Sequence, residues 1–205
     1  MAKKSLNKIF LSASIPLPER HPRFYDTADF IAIRDSVKAL ATVAIPNLEL
    51  VWGGHPSITP LIRHVIEKMG GESNRHVTLY QSRYFEGSFP KSNISFENII
   101  YTPAVSTLEE SLLIMREEMI GKNQFVAGVF IGGMKGILDE YEIFGKFHPD
   151  ALCIPVASTG AAARALFNIL EGMNFKPNDR LLNDYAYISL FKELLGEYLD
   201  PIAGH

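Results

Sequence analysis

The chain has 205 residues, 47% of them hydrophobic and 21% charged, which suits one globular domain and is too apolar for disorder. It carries 20 Lys and Arg against 23 Asp and Glu, a net charge of −3, so the basic excess of a broad nucleic-acid surface is missing. A single cysteine, Cys153, excludes an internal disulfide and a cysteine-cluster zinc site.

The N-terminus is basic through Lys3, Lys4 and Lys8, but Ile9-Phe10-Leu11 is too short for a signal-peptide core. No run reaches the roughly 18 apolar residues that span a bilayer. The expectation is a soluble, cytoplasmic, single-domain protein in a reducing compartment, with no membrane or direct nucleic-acid contact. Residues 8–12 read as a buried strand. Residues 14–22 contain Pro16, Pro18 and Pro22 and read as a loop. Residues 27–42 place Phe30, Ile31, Ile33, Val37, Leu40 and Ala41 near one helical stripe. Residues 48–52 form a second strand, closed by Gly53-Gly54. Thr59-Pro60 predicts a helix start with Thr59 as N-cap, and Gly70-Gly71 ends that helix. Strands at 76–80 and 99–102 flank a long polar loop at 82–98.

Residues 106–122 form a helix with Leu108, Leu112, Met115, Met119 and Ile120 at helical spacing. Residues 125–131 (FVAGVFI) are continuously apolar, as a central strand covered on both faces must be. A helix at 137–147, a strand at 151–156, a helix at 161–171 and a last helix at 184–198 complete the chain. Alternating strands and helices, without Asn-Gly or Asp-Gly hairpin turns, imply an α/β, Rossmann-like three-layer sandwich with a mostly parallel sheet.

Four turns follow strands: Ser12-Ala13-Ser14, Gly53-Gly54-His55-Pro56-Ser57, Gly132-Gly133-Met134-Lys135-Gly136 and Ser158-Thr159-Gly160. In open parallel sheets the carboxyl ends of strands face the ligand crevice. Glycine admits close backbone approach, and helix N-termini present free N–H groups to anions. The turns suit a nucleotide or another phosphate ester. No G-x-G-x-x-G and no G-K-[ST] occurs, which disfavours classical hydride transfer and NTP hydrolysis.

These residues carry a resemblance. Leu50-Val51-Trp52-Gly53-Gly54 followed by a helix and Gly70-Gly71, the arginine helix Met115-Arg116-Glu117-Glu118-Met119, and Phe130 to Glu140 (FIGGMKGILDE) resemble the motifs of LOG (Lonely Guy) proteins, in order and spacing from about residue 8 to 170. The wider group is the SLOG superfamily, a Rossmann-like nucleotide-binding fold. LOG enzymes cleave the N-glycosidic bond of nucleoside 5′-monophosphates, and the resemblance implies Arg116 and Glu140 as the catalytic pair. Other SLOG members are nucleotide sensors of bacterial conflict systems, which F-L-S-A-S near the start and P-V-A-S-T-G-A-A-A near the end resemble more closely. That resemblance implies an alternative role: sensing a NAD- or ADP-ribose-type nucleotide beside an effector partner in antiphage defence. A homodimer is expected by the same resemblance, with the apolar stripe of 106–122 as its surface.

The chain departs from the LOG pattern. His55, Pro56 and Pro60 replace loop glycines, and proline has no N–H to donate. Ile131 replaces the signature proline and Ile137 its threonine. Lys135 reads as an insertion, leaving Asp139 as the alternative to Glu140. The expected nucleotide and phosphate contacts are Ser14, Gly53, Gly54, His55, Ser57, Thr59, Gly132, Gly133, Met134, Gly136, Ser158, Thr159 and Gly160. Glu140 is expected in the first turn of its helix, where the dipole favours a carboxylate. Alone, Arg116 reads equally as a surface partner of Glu109 or Glu110. Cys153 and Trp52 read as core, and Tyr25 matches a tyrosine often seen there in LOG proteins. His21, His64, His76 and His148 show no metal-ligand spacing, so neither metal nor cofactor is expected.

Overall fold

The computed structural model describes residues 6–90, 93, 96–173 and 177–199. The basic start at residues 1–5 lies outside them. Six strands, β1 (Lys8–Ser14), β2 (Glu49–Trp52), β3 (Val77–Ser82), β4 (Ile99–Thr102), β5 (Phe125–Gly132) and β6 (Leu152–Val156), form one sheet in the order β4-β3-β2-β1-β5-β6. Every pairing is parallel. The connections include α1 (Pro22–Tyr25), α2 (Phe30–Ala44), α3 (Thr59–Met69), α4 (Leu108–Gly121), α5 (Lys135–Phe147), α6 (Ala161–Gly172), α7 (Arg180–Asn183) and α8 (Tyr187–Leu194). This is the expected Rossmann-like α/β fold. Among the described residues no helix is long and apolar enough to cross a membrane.

The period of two along each strand divides the core. Ile9, Leu11, Val129, Ile131, Ile154 and Val156 join Ile33, Val37 and Leu40 of α2, Ile62 of α3 and Leu190 of α8 on one face. Phe10 and Phe130 join Met115 and Met119 of α4, Phe144 of α5 and Leu166 of α6 on the other. Phe10, Phe130 and Phe144 sit with ring centroids 5.7–6.1 Å apart. The sheet is thus covered on both sides, as the unbroken apolar run of β5 requires.

Several boundaries differ from expectation. β1 runs on to Ser14. The proline-rich stretch ends in the short helix α1, with Pro22 at its start. The next helix begins at Phe30, where Asp29 caps it by accepting from Ala32 N at 2.9 Å. Ile58, not Thr59, is the N-cap of α3; the Thr59 hydroxyl instead accepts from Trp52 Nε1 at 3.2 Å inside the core. Residues 83–88 of the predicted polar loop wind into 3-10 turns. The expected last helix starts later and ends sooner: the Asp184 side chain accepts from Ala186 N, so the chain turns there before α8 begins at Tyr187, and residues 196–198 form a 3-10 turn.

Candidate functional site

β1 and β5 are neighbours, yet the chain leaves β1 toward β2 on one side and β5 toward β6 on the other. Their carboxyl ends therefore mark the topological switch point, where open α/β sheets bind ligands. The turns there are laced together. Gly133 N donates to Ser14 O at 2.8 Å, Gly132 N donates to Thr159 Oγ1 at 2.9 Å, and Ala162 N donates to Gly133 O at 3.3 Å. Gly132 and Gly133 have φ of 58° and 76°, the left-handed conformation that turns the chain sharply from β5 into α5.

Glu140 projects from α5 over β1. Its Oε2 accepts from Ser12 Oγ at 2.5 Å, and its Oε1 accepts from Arg116 Nε of α4 at 3.2 Å. The side chains of Arg116 and Glu140 are each 16% exposed, whereas Asp139 is 35% exposed. Asp139 lies 3.6 Å from Arg116 Nη1 and 3.6 Å from Lys135 Nζ. Two carboxylates thus face two cations. Both acids touch Arg116, and Glu140 is the one that also reaches the sheet. The arginine turns inward to these acids and makes no ion pair with Glu109 or Glu110 among the described residues. Because α5 begins at Lys135, Glu140 lies in its second turn. Its placement owes more to Arg116 and Ser12 than to a dipole effect that fades after one turn.

The predicted turn residues split into two groups. Ser14, Gly53, Gly54, His55, Ser57, Met134 and Gly136 border the carboxyl ends of β1, β2 and β5. The hydroxyls at the other expected positions are spent inside the protein. Thr59 is fully buried against Trp52. Thr159 Oγ1 donates to Val156 O and accepts from Gly132 N. Ser158 Oγ shares a 3.1 Å hydrogen bond with Tyr187 Oη of α8. The missing glycine side chains likewise make room for protein atoms rather than open space. A Cβ on Gly54 would meet Gln81 Nε2, one on Gly133 would meet Ile137 Cδ1, one on Gly136 would come 2.8 Å from Arg116 Nη2, and one on Gly160 would meet Thr27 O. Gly53 backs onto Met115 of the arginine helix.

His55 is half-buried. Its Nδ1 lies 2.8 Å from Ser57 Oγ and accepts from Ser57 N at 3.3 Å, while Ser57 Oγ accepts from Ile15 N at 3.2 Å. The bonds are consistent when the hydroxyl donates to Nδ1, which leaves Nε2 as the protonated ring nitrogen. Burial, and then the charge of Arg20, lowers its pKa to about 4, so His55 is neutral near pH 7. Trp52 is core, its ring 5.2 Å from Phe96. Tyr25 is partly exposed and packs on Phe30. Cys153 is half-buried, and burial pushes its thiol up to about 12. Among the described residues no three His, Cys, Asp or Glu gather as metal ligands would.

Sequence reasoning placed Ser12 in a strand-end turn without giving it a role of its own, and did not single out Ala161. Phe10, Ser12 and Ser14 share one face of β1, and Ser12 is 2% exposed; a hydroxyl at an interior strand position was the available signal. Ala161 holds φ of 53° directly after Gly160 at 70°. A left-handed alanine at a strand-to-helix turn stores backbone strain, which clusters at functional sites; nothing in the local sequence announces it.

The all-parallel sheet and its strand order define a Rossmann-like α/β protein with a carboxylate–arginine pair beside the switch point. The profile of the SLOG cluster3 family matches residues 23–195, and the chain belongs to that family. Among solved structures it is similar to the X-ray structure of TM1055, a Northeast Structural Genomics Consortium target, at 13% identity and a TM-score of 0.51, with 86% of this chain and 89% of that chain covered. That likeness speaks for the fold alone. No curated protein matches the chain. Family membership supports a nucleotide-related function.

Proposed function

We propose that the chain binds a nucleotide across the carboxyl ends of β1, β2 and β5 and hydrolyses its N-glycosidic bond. The observation that carries this reading is Glu140, held between Ser12 and Arg116. Cleavage of a nucleoside 5′-monophosphate breaks the C1′–N bond. The base leaves with the electron pair and takes up a proton, and water adds to C1′ to give ribose 5-phosphate. The sugar passes through an oxocarbenium-like state, which a fixed carboxylate stabilises. Glu140 supplies that charge, and Arg116 orients it or holds the phosphate. Backbone N–H groups at the start of α5 are donors for the phosphate.

A panel of nucleoside monophosphates, NAD and ADP-ribose, incubated with wild type and Glu140→Gln and read by mass spectrometry, tests this. Wild type releases free base from at least one monophosphate, and Glu140→Gln releases it about 100-fold more slowly or worse. Equal release by both proteins removes Glu140 from the chemistry.

A second reading has its own support. The amides of Gly132 and Gly133 and the hydroxyls of Thr59, Ser158 and Thr159 are already committed within the protein. Fewer donors remain for a phosphate, which favours a sensor that retains a NAD- or ADP-ribose-type nucleotide intact and signals to an effector in antiphage defence. Intact ligand on both proteins, with no base released, supports it. Under either reading we propose a cytoplasmic protein acting as a homodimer. The apolar stripe once expected at its surface turns inward: Met115, Met119 and Ile120 are buried in the chain's own core, leaving Leu113 as the exposed large apolar residue of α4. Native mass measurement at micromolar concentration is expected to give twice 22.9 kDa; a monomer alone overturns the dimer.

A further inference from the structure

We infer that Ser12 is a positioning residue for Glu140, setting the orientation of the carboxylate rather than touching the nucleotide; this rests on the reading of Glu140 given above. Ser12 lies on β1 with its backbone paired to Phe130 of β5. It shares the face of Phe10, beneath α4 and α5. A serine buried beside Phe10 and Phe130 gives up apolar burial, so its hydroxyl needs a partner. That partner is Glu140 Oε2, at 2.5 Å across 128 residues of sequence.

The arginine alone does not fix the acid. Arg116 divides its guanidinium between Glu140 and Asp139, touching Glu140 through Nε at 3.2 Å and Asp139 through Nη1 at 3.6 Å. One contact leaves a carboxylate free to rotate about its last bond. The Ser12 bond ties the second oxygen to the sheet, the most rigid part of the fold. Donors on both oxygens hold the plane of the carboxylate and keep a lone pair of each oxygen for the reacting sugar. Functional groups held this way are more effective because no reorganisation is left for the reaction itself. Gly136 completes the arrangement, since a side chain there would displace Arg116 Nη2.

Ser12→Ala removes the hydroxyl and Ser12→Thr keeps it. With the nucleotide that wild type turns over, Ser12→Ala is expected to lower kcat by about 10- to 100-fold, the scale of an outer partner that orients a functional group. KM stays within about twofold, and Ser12→Thr recovers most of kcat. A loss confined to KM, an unchanged kcat, or a threonine variant as slow as the alanine one overturns the role. A readout without turnover separates this inference from the hydrolase reading. In protein labelled with 13C at the glutamate carboxyl carbons, the Glu140 signal, assigned by its loss in Glu140→Gln, is expected to move in Ser12→Ala and to return toward wild type in Ser12→Thr. An unmoved signal overturns the inference even where hydrolysis stands. A moved and rescued signal sustains the positioning even where no nucleotide is cleaved.

Discussion

At the scale of single residues, the environment decides the chemistry of side chains that look alike in a sequence. His55 has its pKa held near 4, well below its ordinary 6.5. An unfolded chain takes up a proton at this histidine below about pH 6.5, while the folded protein does so only near 4. Between those values the unfolded state binds more protons, so stability falls as pH drops through the window. The thermal midpoint is expected to decline from pH 6.5 to 4, and to decline less in His55→Gln; an identical slope in the variant removes His55 as the cause. Cys153 is the opposite case. With its thiol raised to about 12, almost no thiolate exists at pH 8. Iodoacetamide is expected to leave the native protein unlabelled for hours and to add one label after unfolding in guanidinium. Rapid native labelling contradicts the burial. Asp139 and Glu140 are adjacent carboxylates that motif spacing left as alternatives. Only the helix orientation, which carries Glu140 over Ser12, separates them, because side-chain direction depends on where a helix starts.

At the scale of elements, existence and type were legible and boundaries were not. Apolar periodicity located all six strands and the five long helices from α2 to α6. It placed the start of α5 two residues late and the start of α8 three residues early, at Asp184 instead of Tyr187. Both errors have a local cause. The α5 start follows two left-handed glycines rather than a capping side chain, so no N-cap residue marks it. The break before α8 comes from Asp184 accepting the Ala186 amide, a side-chain turn that periodicity does not register. Thr59-Pro60 misled for a related reason: the threonine hydroxyl found Trp52 instead of the helix end. Packing between elements gives a direct test. A Cβ on Gly128 of β5 would lie 2.8 Å from Phe144 Cζ of α5. Gly128→Ala is therefore expected to cost about 1–3 kcal/mol by overpacking. Phe144→Leu in the same chain should relieve part of that cost, giving a coupling energy in a double-mutant cycle of denaturation midpoints. Strict additivity places the strain elsewhere.

At the scale of the whole molecule, alternation and the absence of hairpin turns sufficed for a parallel sheet with two covered faces, but strand order was not written locally. The resemblance paired Arg116 with Glu140, but nothing local announced that Ser12 of β1 would meet them. A serine at an interior strand position had an ordinary explanation until the topology brought it to Glu140. Strand order also bears on how the chain is made. β1 pairs with β2 on one side, but its other neighbour, β5, begins at Phe125. As the chain leaves the ribosome, β1 through β4 can assemble while one side of β1 stays open, a hydrophobic edge of the kind that invites wrong partners. More than 110 residues after β1 opens that edge, β5 closes it, and the same event brings Gly133 to Ser14 and sets α5 over Ser12. The strand that covers the open edge of the nascent sheet is also the one that completes the candidate site, so an unfinished chain has neither.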